Sequence, residues 1–267
     1  MIPNVLSIAG SDPSGGAGIQ ADIKAISANG AFAMAAITAL TAQNTQGVTG
    51  IHLVPPAFVQ DQITATFTDI RVDAIKIGMI ANAGIADAVA QALQGNADIP
   101  IVLDPVMIAK GGAALLQPDA VNTLRDVLLP LATVLTPNLP EAAHLLNTGT
   151  ATTRGEMVTQ GSALCALGAR AVLMKGGHLE GADSPDCLVT PDTVTWFEAP
   201  RTLTANTHGT GCTLSSALAA HLAKGHSVAD ATAAAKSYVA QAIAHAGDLS
   251  VGTGHGPTHH FASLYSK

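Results

Sequence analysis

The stretch with the most chemistry in it is Asn206-Thr207-His208-Gly209-Thr210-Gly211-Cys212-Thr213-Leu214, which leads into an alanine-rich helical pattern from Ser215 to Lys224. Gly209 and Gly211 bracket Thr210, so the backbone there can adopt dihedrals that a side chain would forbid and can turn its amides inward. The first amides of a helix lack intrahelical partners, and the helix dipole adds about half a positive charge at that end. Such a junction suits an anion such as a phosphoryl group. Cys212 stands at the positive end, where a thiol is expected to lose its proton more readily than in bulk water. The same pattern also fits a glycine turn that merely caps a helix beside a buried cysteine.

Other residues extend the pattern. Asp104 and Glu141 follow apolar segments and offer hard oxygen ligands of the kind magnesium shares with substrate phosphates. Ordinary helix capping would explain them equally well. Lys175 closes the run Ala171-Val172-Leu173-Met174 before two glycines, a place from which an ammonium could reach a phosphate. Asp12, Ser11 and Ser14 suit the capping of a following helix. The grouping His255, His259 and His260 lacks the further ligands of a zinc site.

The elements that must position these residues alternate. Val5 to Ala9 reads as a strand, followed by the loop Gly10 to Gly16 and a helix through Ile19, Ile23 and Ile26 that ends near Gly30. Phe32 to Ala42 reads as a second strand that runs into a polar turn, Gln43 to Gly47. Further strands are expected at Ala74 to Gly78, Ile101 to Asp104, Thr133 to Leu135 and Ala171 to Lys175, with a hairpin formed by Leu188 to Thr190 and Thr193 to Phe197. Helices are expected from Pro56 to about Asp69, Ala83 to Leu93, Pro118 to Leu129, after Pro137, and near Glu156 to Leu167, with a loop containing Lys110-Gly111-Gly112. Alternation over the whole length implies an α/β fold, a three-layer α/β/α sandwich around a mostly parallel central sheet, in a single domain spanning 1–267. Ligands in such folds bind beyond the carboxyl ends of the strands, and there the glycines, acids and Lys175 collect.

Composition narrows the partners. Aromatics are only 3% of 267 residues while hydrophobic residues are 48%, so the core must be aliphatic and packed closely through alanine and glycine. A net charge of -7 without basic clusters argues against nucleic acid or an anionic membrane as partner. Three cysteines without a Cys-x-x-Cys spacing fit a reducing, cytoplasmic setting. Gly16-Ala17-Gly18-Ile19-Gln20-Ala21 formally matches a dinucleotide fingerprint. However, Gly10 to Gly15 intervene after the strand, and Ala35 to Gln43 holds no acid for a ribose. A Walker-type loop is also missing from the sequence.

Seven segments in order resemble the ribokinase superfamily and, within it, the hydroxymethylpyrimidine and phosphomethylpyrimidine kinases of thiamine biosynthesis. They are Ala9 to Asp22, Ala42 to Thr45, Lys76 to Met79, Leu103 to Met107, Thr136 to Glu141, Met174 to His178 and His208 to Cys212. The resemblance implies a ribokinase-like fold that uses ATP and Mg2+ to phosphorylate an aminopyrimidine alcohol and then its monophosphate. It places the pyrimidine on Gly10 and the first glycine loop, with Asp22 and Gln43 bonding its ring and amino group and Ala17, Met79, Val106 and Cys212 around it. It assigns Asp104, Asn138 and Glu141 to magnesium and its waters. Lys175, with Lys236 as a further candidate, and the amides of Gly209, Thr210 and Gly211 fall to the phosphates. Sugar kinases of the superfamily carry Asp where Cys212 stands, so the base is altered here as in the pyrimidine kinases. A homodimer is implied as well. Pyridoxal as acceptor, and a pyrimidine sensor without turnover, are the alternative readings.

Overall fold

The computed structural model describes residues 1–108, 112, 115–117 and 120–265. Eight strands form one sheet in the order β10-β9-β8-β7-β6-β5-β1-β2. In chain order, β1 is Asn4–Ala9, β2 Phe32–Ile37, β5 Ala74–Ile77, β6 Ile101–Leu103, β7 Val134–Leu135, β8 Val172–Lys175, β9 Asp186–Val189 and β10 Val194–Phe197. From β2 to β8 all neighbours are parallel, whereas β8, β9 and β10 pair antiparallel at one edge. The helices are α1 (Gly18–Ala28), α2 (Pro56–Asp69), α3 (Ala83–Leu93), α4 (Ala120–Thr123), α5 (Leu139–Leu146), α6 (Arg154–Ala166), α7 (Thr210–Ala223) and α8 (Val228–Ala244).

Period-two alternation splits the strand residues between two apolar layers. Leu6, Ile8, Ile75, Ile77, Leu103, Leu135 and Val172 join one buried cluster with α2 to α6. Val5, Ala74, Val102, Val134 and Leu173 join the other with α1, α7 and α8. The second layer is thin because α7 meets the sheet through Ala217, Ala219 and Ala220, all fully buried. Small side chains let that helix approach closely, which brings its first turn down onto the strand ends.

Two expectations change. Phe32 to Ala42 is not one strand. The chain leaves the main sheet at Thr38, whose hydroxyl donates to the Met79 carbonyl at 2.6 Å. It continues as β3 (Ala39–Asn44), paired antiparallel with β4 (Gly47–Leu53) in a separate two-stranded sheet. Gln43 and Asn44 therefore end a strand rather than form a turn, and the register shifts between Ala42 and Gln43, where Thr49 is the extra residue on β4. The helix expected from Pro118 to Leu129 is α4 followed by a wider π turn over Leu124–Leu128. Pro118, Asp119 and the Lys110-Gly111 pair lie outside the described residues. As expected, the glycine segment is itself a helix start, since α7 begins at Thr210.

Candidate active site

Gly209 is the N-cap of α7 and has φ 75°. A Cβ there would run into the Gly16 carbonyl oxygen and come within 3.1 Å of Ala17 Cα. The first glycine loop and the start of α7 therefore touch backbone to backbone, and only glycine permits it. On the other side of the helix start, a Cβ on Gly211 would lie 3.2 Å from Lys175 Nζ and 3.5 Å from Asp104 Oδ2. The amides of the first turn, save that of Thr210, which donates to the Thr207 carbonyl at 3.3 Å, thus open between a loop and a charged pair.

Lys175 Nζ donates to Asp104 Oδ1 at 2.8 Å and stands 3.8 Å from Glu141 Oε2. Asp104 also accepts from the hydroxyls of Thr136 at 3.2 Å and Ser215 at 3.3 Å. Burial favours the protonated form of Asp104, but Lys175 and the deeper Lys76 outweigh it and hold the carboxyl below its usual range. Glu141 behaves oppositely. Burial, reinforced by Asp104, pushes it up to about 7 despite Lys175 and the Asn138 amide.

Asn138 and Glu141 form a full capping box on α5, with Glu141 N–H donating to Asn138 Oδ1 and Asn138 N–H to Glu141 Oε2, both at 2.8 Å. The capping reading is therefore realised for Asn138 and Glu141 alike. Among the described residues no three His, Cys, Asp or Glu side chains converge as a metal cage. The hard oxygens of Asp104 and Glu141, already sharing Lys175, fit an ion that keeps its waters and takes its remaining ligands from phosphates.

Gly10, Ala17, Met79 and Gln43 gather on the opposite wall. A Cβ on Gly10 would sit 2.9 Å from Met79 Sδ, and Gln43 Nε2 lies 3.4 Å from Nε2 of His208, one residue before Gly209. Val106 lies just past Asp104 on the same rim, its amide donating to the Asp104 carbonyl at 2.8 Å.

Three assignments need correction. Asp22 is fully buried and does not reach the cleft. Its oxygens take Lys76 Nζ at 2.9 Å twice, Ser7 Oγ at 2.6 Å and Ser216 Oγ at 2.7 Å, which leaves it nothing to offer a pyrimidine. Lys236 is held by Asp186 at 2.6 Å and the Ser184 carbonyl at 2.7 Å, so its charge is already neutralised by a buried carboxylate. Cys212 does not become acidic. Burial pushes its thiol up to about 11, against the pull of Lys76 and the Gly18 amide.

Lys76 and His208 carry roles that the sequence reading gave to neither. A lysine inside the four-residue apolar strand Ala74–Ile77 is the readable signal, since a lysine so enclosed requires a buried partner. His208 is 7% exposed and its Nε2 lies 2.7 Å from Asp12 Oδ2. Asp12 also accepts from the amides of Ser14 at 2.9 Å and Ala17 at 2.8 Å, so it shapes the glycine loop from within.

Comparison with known proteins agrees with this geometry. The family model for phosphomethylpyrimidine kinase matches residues 12–259. The hydroxymethylpyrimidine/phosphomethylpyrimidine kinase of Salmonella typhimurium is 54% identical over 258 residues, covering 97% of each chain. Among solved structures, an ADP complex of Bacillus subtilis pyridoxal kinase superposes with a TM-score of 0.92 at 35% identity over the full length of both chains. The phosphomethylpyrimidine kinase of Clostridium difficile 630 gives 0.80 at 40% identity, covering 90% of this chain and 99% of that one. With the match spanning the glycine loop, the sheet rim and the start of α7 alike, the chain belongs to the phosphomethylpyrimidine kinase family.

Proposed function

We propose that this protein transfers the terminal phosphoryl group of ATP to the hydroxymethyl group of 4-amino-5-hydroxymethyl-2-methylpyrimidine, and then a second to the resulting monophosphate, as a step of thiamine biosynthesis. The observation that carries this reading is the start of α7, whose amides open between Lys175 with Asp104 on one side and the wall of Gly10, Ala17, Met79 and Gln43 on the other. Phosphoryl transfer is chiefly positioning plus neutralisation of charge on the equatorial oxygens. The amides of Gly209 and Gly211 and the Lys175 ammonium supply that neutralisation. Asp104 and Glu141 would hold magnesium through its waters, and the ion supplies further charge at the phosphates when bound.

The acceptor lies on the other wall. An amide such as Gln43 offers both a donor and an acceptor to an aminopyrimidine edge, while Ala17 and Gly10, against which Met79 packs, would lie beside the ring. Cys212 is the thiol at the junction and the candidate for receiving the proton of the alcohol. The monophosphate, already mostly a dianion at neutral pH, has no comparable need.

The test is ATP consumption with the alcohol, with its monophosphate and with pyridoxal, each in the presence of magnesium. Turnover of both pyrimidines with the larger kcat/KM is expected. Consumption with neither pyrimidine sinks the reading. A preference for pyridoxal would favour the second reading, which the 0.92 superposition on a pyridoxal kinase supports. A homodimer and a cytoplasmic location belong to the same proposal. The three cysteines remain free thiols, in keeping with a reducing compartment, and no described helix is long and apolar enough to cross a membrane. Light scattering at micromolar concentration checks the dimer.

A further inference from the structure

Thr41 and Gln43 lie two residues apart on β3, so their side chains share one face. Gln43 Oε1 stands 3.2 Å from Thr41 Oγ1, and Gln43 Nε2 stands 3.4 Å from His208 Nε2. Which end of a glutamine amide points which way is fixed by its partners. Both partners have already committed their hydrogens.

Thr41 Oγ1 donates its one hydrogen to the Ser11 carbonyl at 2.9 Å, so toward Gln43 it can only accept. His208 Nε2 faces Asp12 Oδ2 at 2.7 Å. That carboxylate takes donors on both oxygens, from Ser14 and Ala17, and in spite of its burial the bonds from His208 and Ser14 hold it below the usual range. It is therefore an acceptor only, and the hydrogen between the two residues belongs to His208 Nε2. Toward Gln43 that nitrogen has no lone pair, so it cannot accept from an amide N–H and offers an amide oxygen only a share of its hydrogen. An acceptor at one end and a nitrogen unable to accept at the other favour the same orientation, with the Gln43 NH2 group on Thr41 and its oxygen on His208.

We propose that Asp12, His208 and Thr41 are positioning residues that lock the Gln43 amide with its oxygen toward His208 and its nitrogen toward Thr41, and so set the order in which donor and acceptor meet the substrate. The amide keeps one lone pair and one N–H for the ligand. A pyrimidine with an amino group and an unprotonated ring nitrogen fits that pair in one order only. The 4-oxo isostere, with a carbonyl and a ring N–H, presents the reverse. A locked amide rejects it, because one buried polar pair would meet like to like; an amide free to turn over would accept either. The inference rests on the proposed contact between Gln43 and the pyrimidine.

Two measurements separate the parts. In the substrate-free protein, 1H–15N correlation of the histidine rings, assigned with His208→Asn, is expected to show His208 protonated at Nε2. A bare Nε2 overturns the lock whatever the substrate does. In kinetics, the ratio of kcat/KM for the 4-amino and 4-oxo alcohols is expected to fall at least tenfold in Thr41→Val, mainly through KM, and to return in Thr41→Ser. An unchanged ratio in Thr41→Val also overturns it. Gln43→Leu reports on the underlying contact alone: an unaltered KM for the amino alcohol removes the substrate reading of Gln43, while the ring protonation still decides the orientation.

Discussion

At neutral pH burial holds the Cys212 thiol well above its ordinary range, up to about 11, so the thiolate is scarce. A base that scarce makes the alcohol step depend on how often the thiolate forms. If Cys212 takes the proton, the single-turnover rate on the alcohol rises close to tenfold per pH unit from 7 to 10. The rate on the monophosphate stays nearly flat. Cys212→Ala should abolish the slope and slow the alcohol step by 10^2-fold or more, while sparing the second step. A flat alcohol profile in the wild type, or equal losses in both steps, would remove the thiol from proton transfer. Lys175 is a different case, because its charge opposes Asp104 as well as meeting phosphate. Lys175→Met is expected to lower kcat at least 10^2-fold in both steps. It also leaves Asp104, 1% exposed, without its closest cation. A thermal-shift assay should therefore record a loss of stability together with the kinetic one, and a fully stable, merely slow variant would show that Asp104 does not need the ammonium.

The elements were legible wherever apolar period and local chemistry agreed. The bounds of α2 and α3 coincide with the expected ones because Pro56 opens one helix and Asn82, whose side chain accepts from the Ile85 amide at 2.9 Å, caps the other. The split of Phe32 to Ala42 was not legible, since nothing local distinguishes one long apolar strand from two strands joined by the buried Thr38. What breaks it is a tertiary bond to Met79. The same limit explains Asp22 and Lys236: their types suited the roles expected of them, but their partners Lys76 and Asp186 come from distant strands. The start of α7, by contrast, was read almost in place, because Gly209 announces the left-handed residue that the crossing requires. Gly209→Ala is expected to cost about 1–3 kcal/mol for the backbone conformation alone and more for the overlap with Gly16, lowering activity and melting temperature together; retention of both would refute the backbone contact. The same helix is held from behind by His260, whose Nε2 lies 3.0 Å from Thr213 Oγ1. Burial depresses that histidine to about 4, so between pH 6.5 and 4 the unfolded chain binds a proton that the folded one refuses. Stability is complete above 6.5 and falls as the pH drops toward 4, by on the order of 3 kcal/mol. His260→Gln should flatten that part of the urea-denaturation profile relative to wild type.

Across the whole molecule, the pair Asp22 and Lys76 connects what the layers would otherwise hold only by apolar contact. Both side chains have 0% exposure. Lys76 reaches from β5, Asp22 from α1, Ser7 from β1 and Ser216 from α7, so one buried charge pair ties two strands to the two helices that carry the glycine loop and the anion-binding turn. Such a pair gives little net stability over an apolar equivalent, but breaking it by removing one partner costs about 3–5 kcal/mol. That is a large share of the roughly 5–15 kcal/mol typical of a folded domain. Lys76→Met is therefore expected to lower unfolding free energy by about 3–5 kcal/mol. Adding Asp22→Asn, which removes the stranded charge and keeps an acceptor for the serines, should restore at least about 2 kcal/mol of it. Additive losses in that double-mutant cycle would mean the two residues do not act as a unit. The pair also has a chemical consequence, because Lys76 lowers the Cys212 thiol while Asp22 raises it, with the lysine the stronger of the two. Deleting the cation alone should push thiol ionisation above about 11, and the rate of iodoacetamide alkylation at pH 9 should drop. An alkylation rate identical to wild type would reduce the pair to a fastener, with no part in setting the proton affinity at the junction where phosphoryl donor and acceptor meet.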